Sequence, residues 1–117
     1  MESAGLYDIT VKQNSGFTLP MRYEAPEGSP VDFTGSTARM QVRAKVGAPV
    51  VLLDLSTTDG TITLGSDGSI TLSETALTTA ALRFSKGVYD LRITPPVGEP
   101  YYLLAGNIFL ERAVTHS

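Results

Sequence analysis

A run of short strand-like segments separated by glycine turns, from Val31 to Leu72, most constrains how this chain can fold. Apolar residues alternate with polar and charged ones from Ala38 to Lys45, as in a strand with one buried and one solvated face. The branched apolar run Val50 to Leu55 is typical of a central strand. Asp59-Gly60 and Asp67-Gly68 flank the runs that follow, and Asp-Gly favours the positive φ of hairpin turns. The segment therefore predicts a rigid β-sheet body, and it contains no cluster of catalytic residues.

The same alternation predicts strands on both sides of this segment. Leu6 to Lys12 and Phe17 to Glu24 each place apolar residues at every second position. Pro20 cannot donate to a strand ladder, so we expect the second of these strands to lie at a sheet edge or to carry a bulge. Tyr89 to Thr94 alternates in the same way, and Tyr101 to Ala113 is the longest predicted strand.

Two segments break the alternation. Ala25 to Thr34 contains two prolines and a glycine, which predicts an exposed, mobile loop. Ser73 to Leu82 has helical spacing, with Ser73 as the expected N-cap. A helix this short is marginal alone, so we expect Leu77 and Leu82 to pack against the end of a sheet.

These elements predict one all-β domain, an immunoglobulin-like two-sheet β-sandwich with one short crossover helix. A length of 117 residues and a hydrophobic fraction of 42% fit a single domain over residues 1–117, with its core within about 6–113. Gly87-Val88-Tyr89 is similar to the tyrosine corner of immunoglobulin-like sandwiches, where a tyrosine hydroxyl bonds upstream backbone. Leu91 stands where an antibody domain has a cysteine, which predicts apolar contact between the sheets.

Charge and composition argue against several classes of partner. The net charge is −3 and the basic residues are scattered, so we expect no nucleic-acid binding. The chain has no cysteine, which excludes disulfides and thiol chemistry and favours synthesis in a reducing compartment. No apolar run approaches the roughly 20 residues that span a bilayer, and the N-terminus lacks signal-peptide features, so we expect no membrane contact.

The sequence predicts that the protein is not an enzyme, and we expect no catalytic, metal-binding or cofactor-binding residues. The single imidazole is His116 near the C-terminus, which we interpret as a solvated terminal histidine. No phosphate-binding loop or nucleophile elbow occurs. Asp54, Asp59 and Asp67 could in principle collect around calcium, but turn formation explains them better. A carboxylate pair for glycoside hydrolysis depends on a three-dimensional separation and stays a minor alternative.

The last predicted strand is apolar on both faces. Tyr101 and Tyr102 must point to opposite faces, so this strand is either covered twice or contacts a partner. The first strand could be donated to a neighbour's sheet. The predicted partner-binding residues of the two strands are Tyr7, Ile9, Val11, Tyr101, Tyr102, Leu104 and Ile108. Carbohydrate stacking on Tyr101 or Tyr102 is the alternative.

Five ordered motifs resemble a module widespread in tailed bacteriophages and prophages. They are VDFTGSTARMQVR, VLLDLSTTDGTITL, GSITLSETALTTAAL, GVYDLRIT and LLAGNIFL. From about Phe17 to Val114, the chain is similar to the N-terminal β-sandwich domain of baseplate upper proteins and to short phage structural proteins.

This resemblance implies a virion structural protein, made in the cytoplasm of the bacterial host, that contacts other virion proteins in a symmetric homo-oligomer. Baseplate upper proteins continue into a helical or fibre region, whereas this sequence ends at Ser117. We therefore expect an adaptor or decoration subunit at the tail, baseplate, neck or capsid. The alternative hypothesis is a carbohydrate-binding adhesion module on the virion surface.

Overall fold

A computed structural model describes residues 5–25 and 27–114 and contains two β-sheets and one short helix within them. His116 lies outside the described residues. The elements are β1 (Gly5–Leu6), β2 (Ile9–Lys12), β3 (Phe17–Arg22), β4 (Thr37–Arg43), β5 (Leu53–Ser56), β6 (Ile62–Leu64), β7 (Ser69–Glu74), α1 (Ala76–Ala80), β8 (Lys86–Thr94) and β9 (Tyr101–Glu111). In the described part of the chain, no helix is long and apolar enough to cross a membrane.

The larger sheet has six strands in the order β1-β9-β8-β4-β5, with β2 also pairing with β9. The smaller sheet has three strands in the order β3-β7-β6. β1 and β2 run parallel to β9, whereas the other neighbouring strands are antiparallel. The predicted all-β, immunoglobulin-like sandwich with one short helix is therefore confirmed.

The core lies between the two sheets and is built by the period-2 pattern. Met40 and Val42 of β4 and Leu91 and Ile93 of β8 turn inward and are almost fully buried. From the smaller sheet, Ile70 of β7 is equally buried. Among the described residues, the buried apolar ones are Ile9, Val11, Phe33, Ala38, Met40, Val42, Leu55, Ile62, Ile70, Leu72, Leu82, Tyr89, Leu91, Ile93, Leu104, Ile108 and Leu110.

Three local predictions about strands and turns agree with the structure. β3 is an edge strand, as Pro20 requires. β6 and β7 form the hairpin predicted around Asp67-Gly68, where Gly68 has a φ of 85° and Asp67 Oδ1 accepts a hydrogen bond from Ser69 N. Asp59 Oδ1 accepts a 2.9 Å hydrogen bond from Thr61 N and so also supports a turn. That turn connects β5 to β6, which belong to different sheets, so the prediction of a hairpin turn at Asp59-Gly60 is wrong.

The predicted central strand over Val50 to Leu55 is also wrong. β5 begins only at Leu53 and forms the edge of the larger sheet beside β4. Val50 lies in the preceding loop and is exposed. The backbone bond from Leu52 N to Val42 O closes that loop, so the apolar run is divided between a turn and a short strand.

The helix differs from prediction in its N-cap and in the exposure of Leu77, and the loop before β4 differs in the burial of Phe33. Ser73 belongs to β7, and Thr75 is the N-cap, accepting a hydrogen bond from Thr78 N. Leu77 is 84% exposed, because a five-residue helix turns it to solvent, while Leu82 is buried beyond the helix end. Phe33 is buried in the core, so the loop predicted over residues 25–34 is anchored near its end.

Candidate partner-binding surface

Four residues predicted to bind a partner lie in the core instead. Ile9 and Val11 of β2 and Leu104 and Ile108 of β9 are at most 6% exposed. Their side chains point between the sheets, because β2 aligns Ile9 with Ile108 in parallel register on β9. In the folded chain these four side chains stabilise the core and offer no exposed surface to a partner, and their partner-binding role stays a prediction.

The three predicted tyrosines lie in different environments. Tyr101 is half-buried against the core, and this burial raises the pKa of its hydroxyl. Tyr7, between β1 and β2, is 43% exposed, and Tyr102 is 51% exposed. Tyr7 and Tyr102 are thus the only exposed residues of the predicted set, each with about half of its surface in contact with solvent.

A β-bulge explains why Tyr102 and Leu104 do not share a face. Leu91 of β8 aligns with Leu104, but the next residue, Arg92, aligns with Tyr102, so Leu103 is an extra residue in β9. Side chains two positions apart normally point the same way, and the extra residue reverses this relation. Tyr102 consequently stands beside Arg92 on the outer side of the larger sheet.

We call the outer side of β4, β5, β8 and β9 the front face. Every second residue of these strands contributes to it, except across the bulge in β9, where Ala105 is the next outward residue after Tyr102. No helix or loop of the described chain encloses this face. Its principal side chains are Arg39, Gln41, Arg43, Asp54, Val88, Asp90, Arg92, Tyr102, Asn107 and Phe109. A flat sheet face with exposed aromatic and charged groups is suited to surface contact rather than to enclosing a substrate.

Tyr102 forms a ridge between two shallow depressions on the front face. The lining of one depression, of about 380 Å³, includes Arg39, Thr57 and Arg92. The other, of about 540 Å³, includes Arg43, Val88 and Asn107. Gln41, Asp90 and Tyr102 line both depressions.

Hydrogen bonds hold two arginines of the front face in place. Arg39 binds both carboxylate oxygens of Asp54, at 2.8 and 3.3 Å, and lowers the pKa of that carboxyl group. Arg43 donates to Gln41 Oε1 at 2.9 Å and to the Ala48 carbonyl at 2.7 Å. Fixed side chains lose little entropy when a partner binds, which favours this face as a docking surface.

Asp90 is the carboxylate near the centre of the front face. Partial burial raises the pKa of Asp90, and the positive charge of Arg43 opposes this shift. A partner that placed a cation or a hydrogen-bond donor beside Asp90 would offset this desolvation. Asp90 therefore adds a charged group beside the aromatic side chain of Tyr102.

The N-terminal segment is fixed to the opposite edge of β9. The Tyr89 hydroxyl donates to the Tyr7 carbonyl oxygen, and Asp8 Oδ1 accepts a 2.9 Å hydrogen bond from Asn107 N. Gly106 lies against the Tyr7 backbone and has no side chain to obstruct it. The predicted tyrosine-corner contact to upstream backbone is thus made to the N-terminal segment, which completes the larger sheet of its own chain.

Tyr89→Phe is expected to lower the free energy of unfolding by about 1–2 kcal/mol at neutral pH, because the Tyr7 carbonyl loses its donor. Burial raises the pKa of Tyr89 above its ordinary value of about 10, so only the neutral hydroxyl stabilises the fold. That stabilisation is present below pH ~10 and is lost as the pH rises further. Urea denaturation at several pH values should show the two proteins converging above that pH; a constant difference would contradict this role.

No group of three or more described His, Cys, Asp or Glu residues is arranged to hold a metal ion. Asp54 pairs with Arg39, while Asp59 and Asp67 bond turn backbone, so each of the three carboxylates has a structural partner. Sequence reasoning missed Gln41, Arg92 and Asn107 as front-face residues. Their positions on alternating strands were visible, but the face they share follows from strand order, which the sequence does not give.

The arrangement of both sheets and the front face define an immunoglobulin-like β-sandwich with an exposed sheet surface. No protein-family model and no curated protein matches the sequence. Similar solved structures include one from a cross-linking study of cell-adhesive interactions of VGSC beta subunits, at 20% identity and TM-score 0.42, covering 98% of both chains. Another is Tim-1, at 14% identity and TM-score 0.43, covering both chains fully. These values are too low to carry a function to this chain.

Proposed function

We propose that this chain is a non-catalytic structural protein of a tailed-bacteriophage virion that binds other virion proteins through the front face. The observation that carries the binding role is the Tyr102 ridge, which is exposed between two depressions on an uncovered sheet. The phage context is supported by the ordered motifs from Val31 to Leu110 that resemble phage β-sandwich modules.

The composition of the front face supports protein contact. Tyrosine and arginine are enriched at the energetic centres of interfaces, and Tyr102 stands directly beside Arg92. Phe109 of the same strand face is also exposed. A partner covering this area would bury aromatic surface and would meet side chains that are already held in one conformation.

Tyr102→Glu is expected to reduce incorporation of the chain into virions at least about tenfold, the effect of losing an interface anchor. The half-exposed position should leave the fold intact, as circular dichroism and thermal unfolding would verify. Thr18→Glu, on the outer side of β3, is the matched control and should be incorporated normally. The measurement is quantitative mass spectrometry of purified particles after complementation. Normal incorporation of Tyr102→Glu would contradict the placement of the contact.

Carbohydrate binding is the second candidate function, because amide and carboxylate groups surround the aromatic ridge. Gln41, Asp90 and Asn107 lie in the depressions beside Tyr102, a combination suited to stacking and hydrogen bonding with a sugar. A glycan array separates the two functions. Reproducible binding that is lost in Tyr102→Ala would favour the adhesin, whereas no binding would favour the structural role.

A further inference from the structure

The strands of the larger sheet run along the long axis of the molecule. The domain measures 45 × 28 × 24 Å, and β9 has 11 residues. At about 3.3 Å per residue this strand is roughly 35 Å long, which exceeds the second dimension of the domain. The two ends of the sandwich are therefore the two sets of loops at the ends of these strands.

One end is positively charged. The end of β9 lies beside the beginning of β8 and beside the end of β2. Because β4 is antiparallel to β8, β4 ends beside the beginning of β8, and the β4–β5 loop therefore lies at this end too. The Leu110 N to Ser85 O bond places the segment after α1 there as well. This basic end contains five cations, Lys12, Lys45, Arg83, Lys86 and Arg112, and two carboxylates, Glu74 and Glu111, giving a net charge of +3.

The opposite end is negatively charged. It contains the β3–β4 loop, the β6–β7 turn and the β8–β9 turn. Backbone hydrogen bonds from Tyr23 N to Gly68 O and from Phe33 N to Gly65 O join the first two segments. Gly35 of the β3–β4 loop lies close to Pro96 of the β8–β9 turn. The acidic end carries five carboxylates, Glu24, Glu27, Asp32, Asp67 and Glu99, and one cation, Arg22, giving a net charge of −4. Hydrogen bonds lower the pKa of Asp32 and of Asp67, so both stay ionised near neutral pH.

Both ends also expose apolar side chains. Val46 and Leu77 are exposed at the basic end, at 91% and 84%, and Val97 is 88% exposed at the acidic end. Apolar groups within a complementary charged rim are what a protein contact buries. The remaining described charges sum to −1; they are Arg39, Arg43, Arg92, Asp8, Asp54, Asp59 and Asp90.

We propose that copies of this chain associate end to end, with the acidic end of one copy bound to the basic end of the next. The partner is a second copy because the chain itself supplies both complementary surfaces. Such a contact is heterologous, so it closes into a ring or extends as a filament. The two surfaces adjoin, because Lys45 and Val46 of the basic end also line the larger depression beside Tyr102, so control variants are needed to separate them.

The first test is the salt dependence of self-association. Exposed charges are screened within about 8 Å at physiological salt, so this association should be strong at about 20 mM salt and weak at about 500 mM. In sedimentation equilibrium, the weight-average mass should exceed the monomer mass of 12.5 kDa at low salt and approach it at high salt. A monomer at low salt across the concentration range would overturn the proposal.

The second test reverses charges at one end at a time. Glu27→Lys/Glu99→Lys brings the acidic end to neutrality, and Lys45→Glu/Lys86→Glu makes the basic end negative. Each variant alone should sediment as a monomer at low salt. Mixed together, they should form one-to-one pairs through the two unaltered ends. Failure of either variant to lose association, or failure of the mixture to regain it, would overturn the end-to-end contact.

Two controls distinguish the end-to-end contact from self-association through the front face. Gln41→Glu/Arg92→Glu lowers the net charge by three, compared with four for Lys45→Glu/Lys86→Glu, and changes the front face without altering the basic end. It should keep associating; a monomer with intact circular dichroism would place the contact on the face and overturn the proposal. Tyr102→Glu should also associate normally, so the two surfaces can fail separately.

Discussion

Gly106→Ala is expected to lower the free energy of unfolding by about 3 kcal/mol or more, because it forces the N-terminal segment away from β9. A Cβ at this position would overlap the carbonyl oxygen of Tyr7 and lie 2.8 Å from its carbonyl carbon. These are backbone atoms that cannot rotate aside. Displacing them breaks the bond from the Tyr89 hydroxyl and uncovers Ile9, whose burial stabilises the fold by about 1.5–3 kcal/mol.

Gly16→Ala is the matched control for this substitution. A Cβ at Gly16 meets no atom within 4 Å, so alanine there should be neutral or slightly stabilising. Urea denaturation measures both effects, and hydrogen exchange should show lost protection of the amides of β2 only in Gly106→Ala. Equal stability of the two variants would show that the Tyr7 backbone yields without cost.

Leu91→Ala is expected to destabilise the domain by about 2–5 kcal/mol, the range for removing a fully buried leucine. Leu91 is 0% exposed and lies at the centre of β8, opposite Met40 and Leu104. The surrounding strands are fixed by ladders on both sides, so the cavity cannot collapse completely. Thermal or urea unfolding measures the loss.

Leu77→Ala provides the contrast for Leu91→Ala, with the same atoms removed from an exposed position. Its effect should lie within about 0.5 kcal/mol of zero, because Leu77 is largely in water and alanine favours helix. A loss comparable to that of Leu91→Ala would mean that Leu77 packs against the sheet end, as its helical spacing predicted.

The strands whose two faces differ were predictable from the sequence. Ala38 to Arg43 and Tyr89 to Thr94 alternate strictly because one side of each contacts the core and the other contacts water. Local chemistry also identified Pro20 as an edge residue and Asp67-Gly68 as a hairpin turn. In these segments, the backbone limits of proline and glycine and the hydrogen-bonding side chain of aspartate restrict the local structure without help from distant residues.

Other features depended on context that local patterns do not contain. Val50 to Leu55 is apolar enough for a central strand, yet the turn after β4 takes its first half. Ser73 and Thr75 are both capable N-caps, and continued pairing of β7 with β3 decided between them. The candidate surface was only partly predictable for a similar reason, because the bulge at Leu103 separates Tyr102 from Leu104.

The sequence by itself determined the β-sandwich class and the inward residues of the regular strands, because side-chain alternation and turn chemistry are local properties. It also led us to expect Tyr102 on an interaction surface. Only the tertiary structure decided that Ile9 and Leu104 fill the core and that Tyr102 stands among the front-face charges. It alone also separated the scattered charges into an acidic and a basic end. The physical reason is that strand order, register and one inserted residue set which distant side chains share a surface.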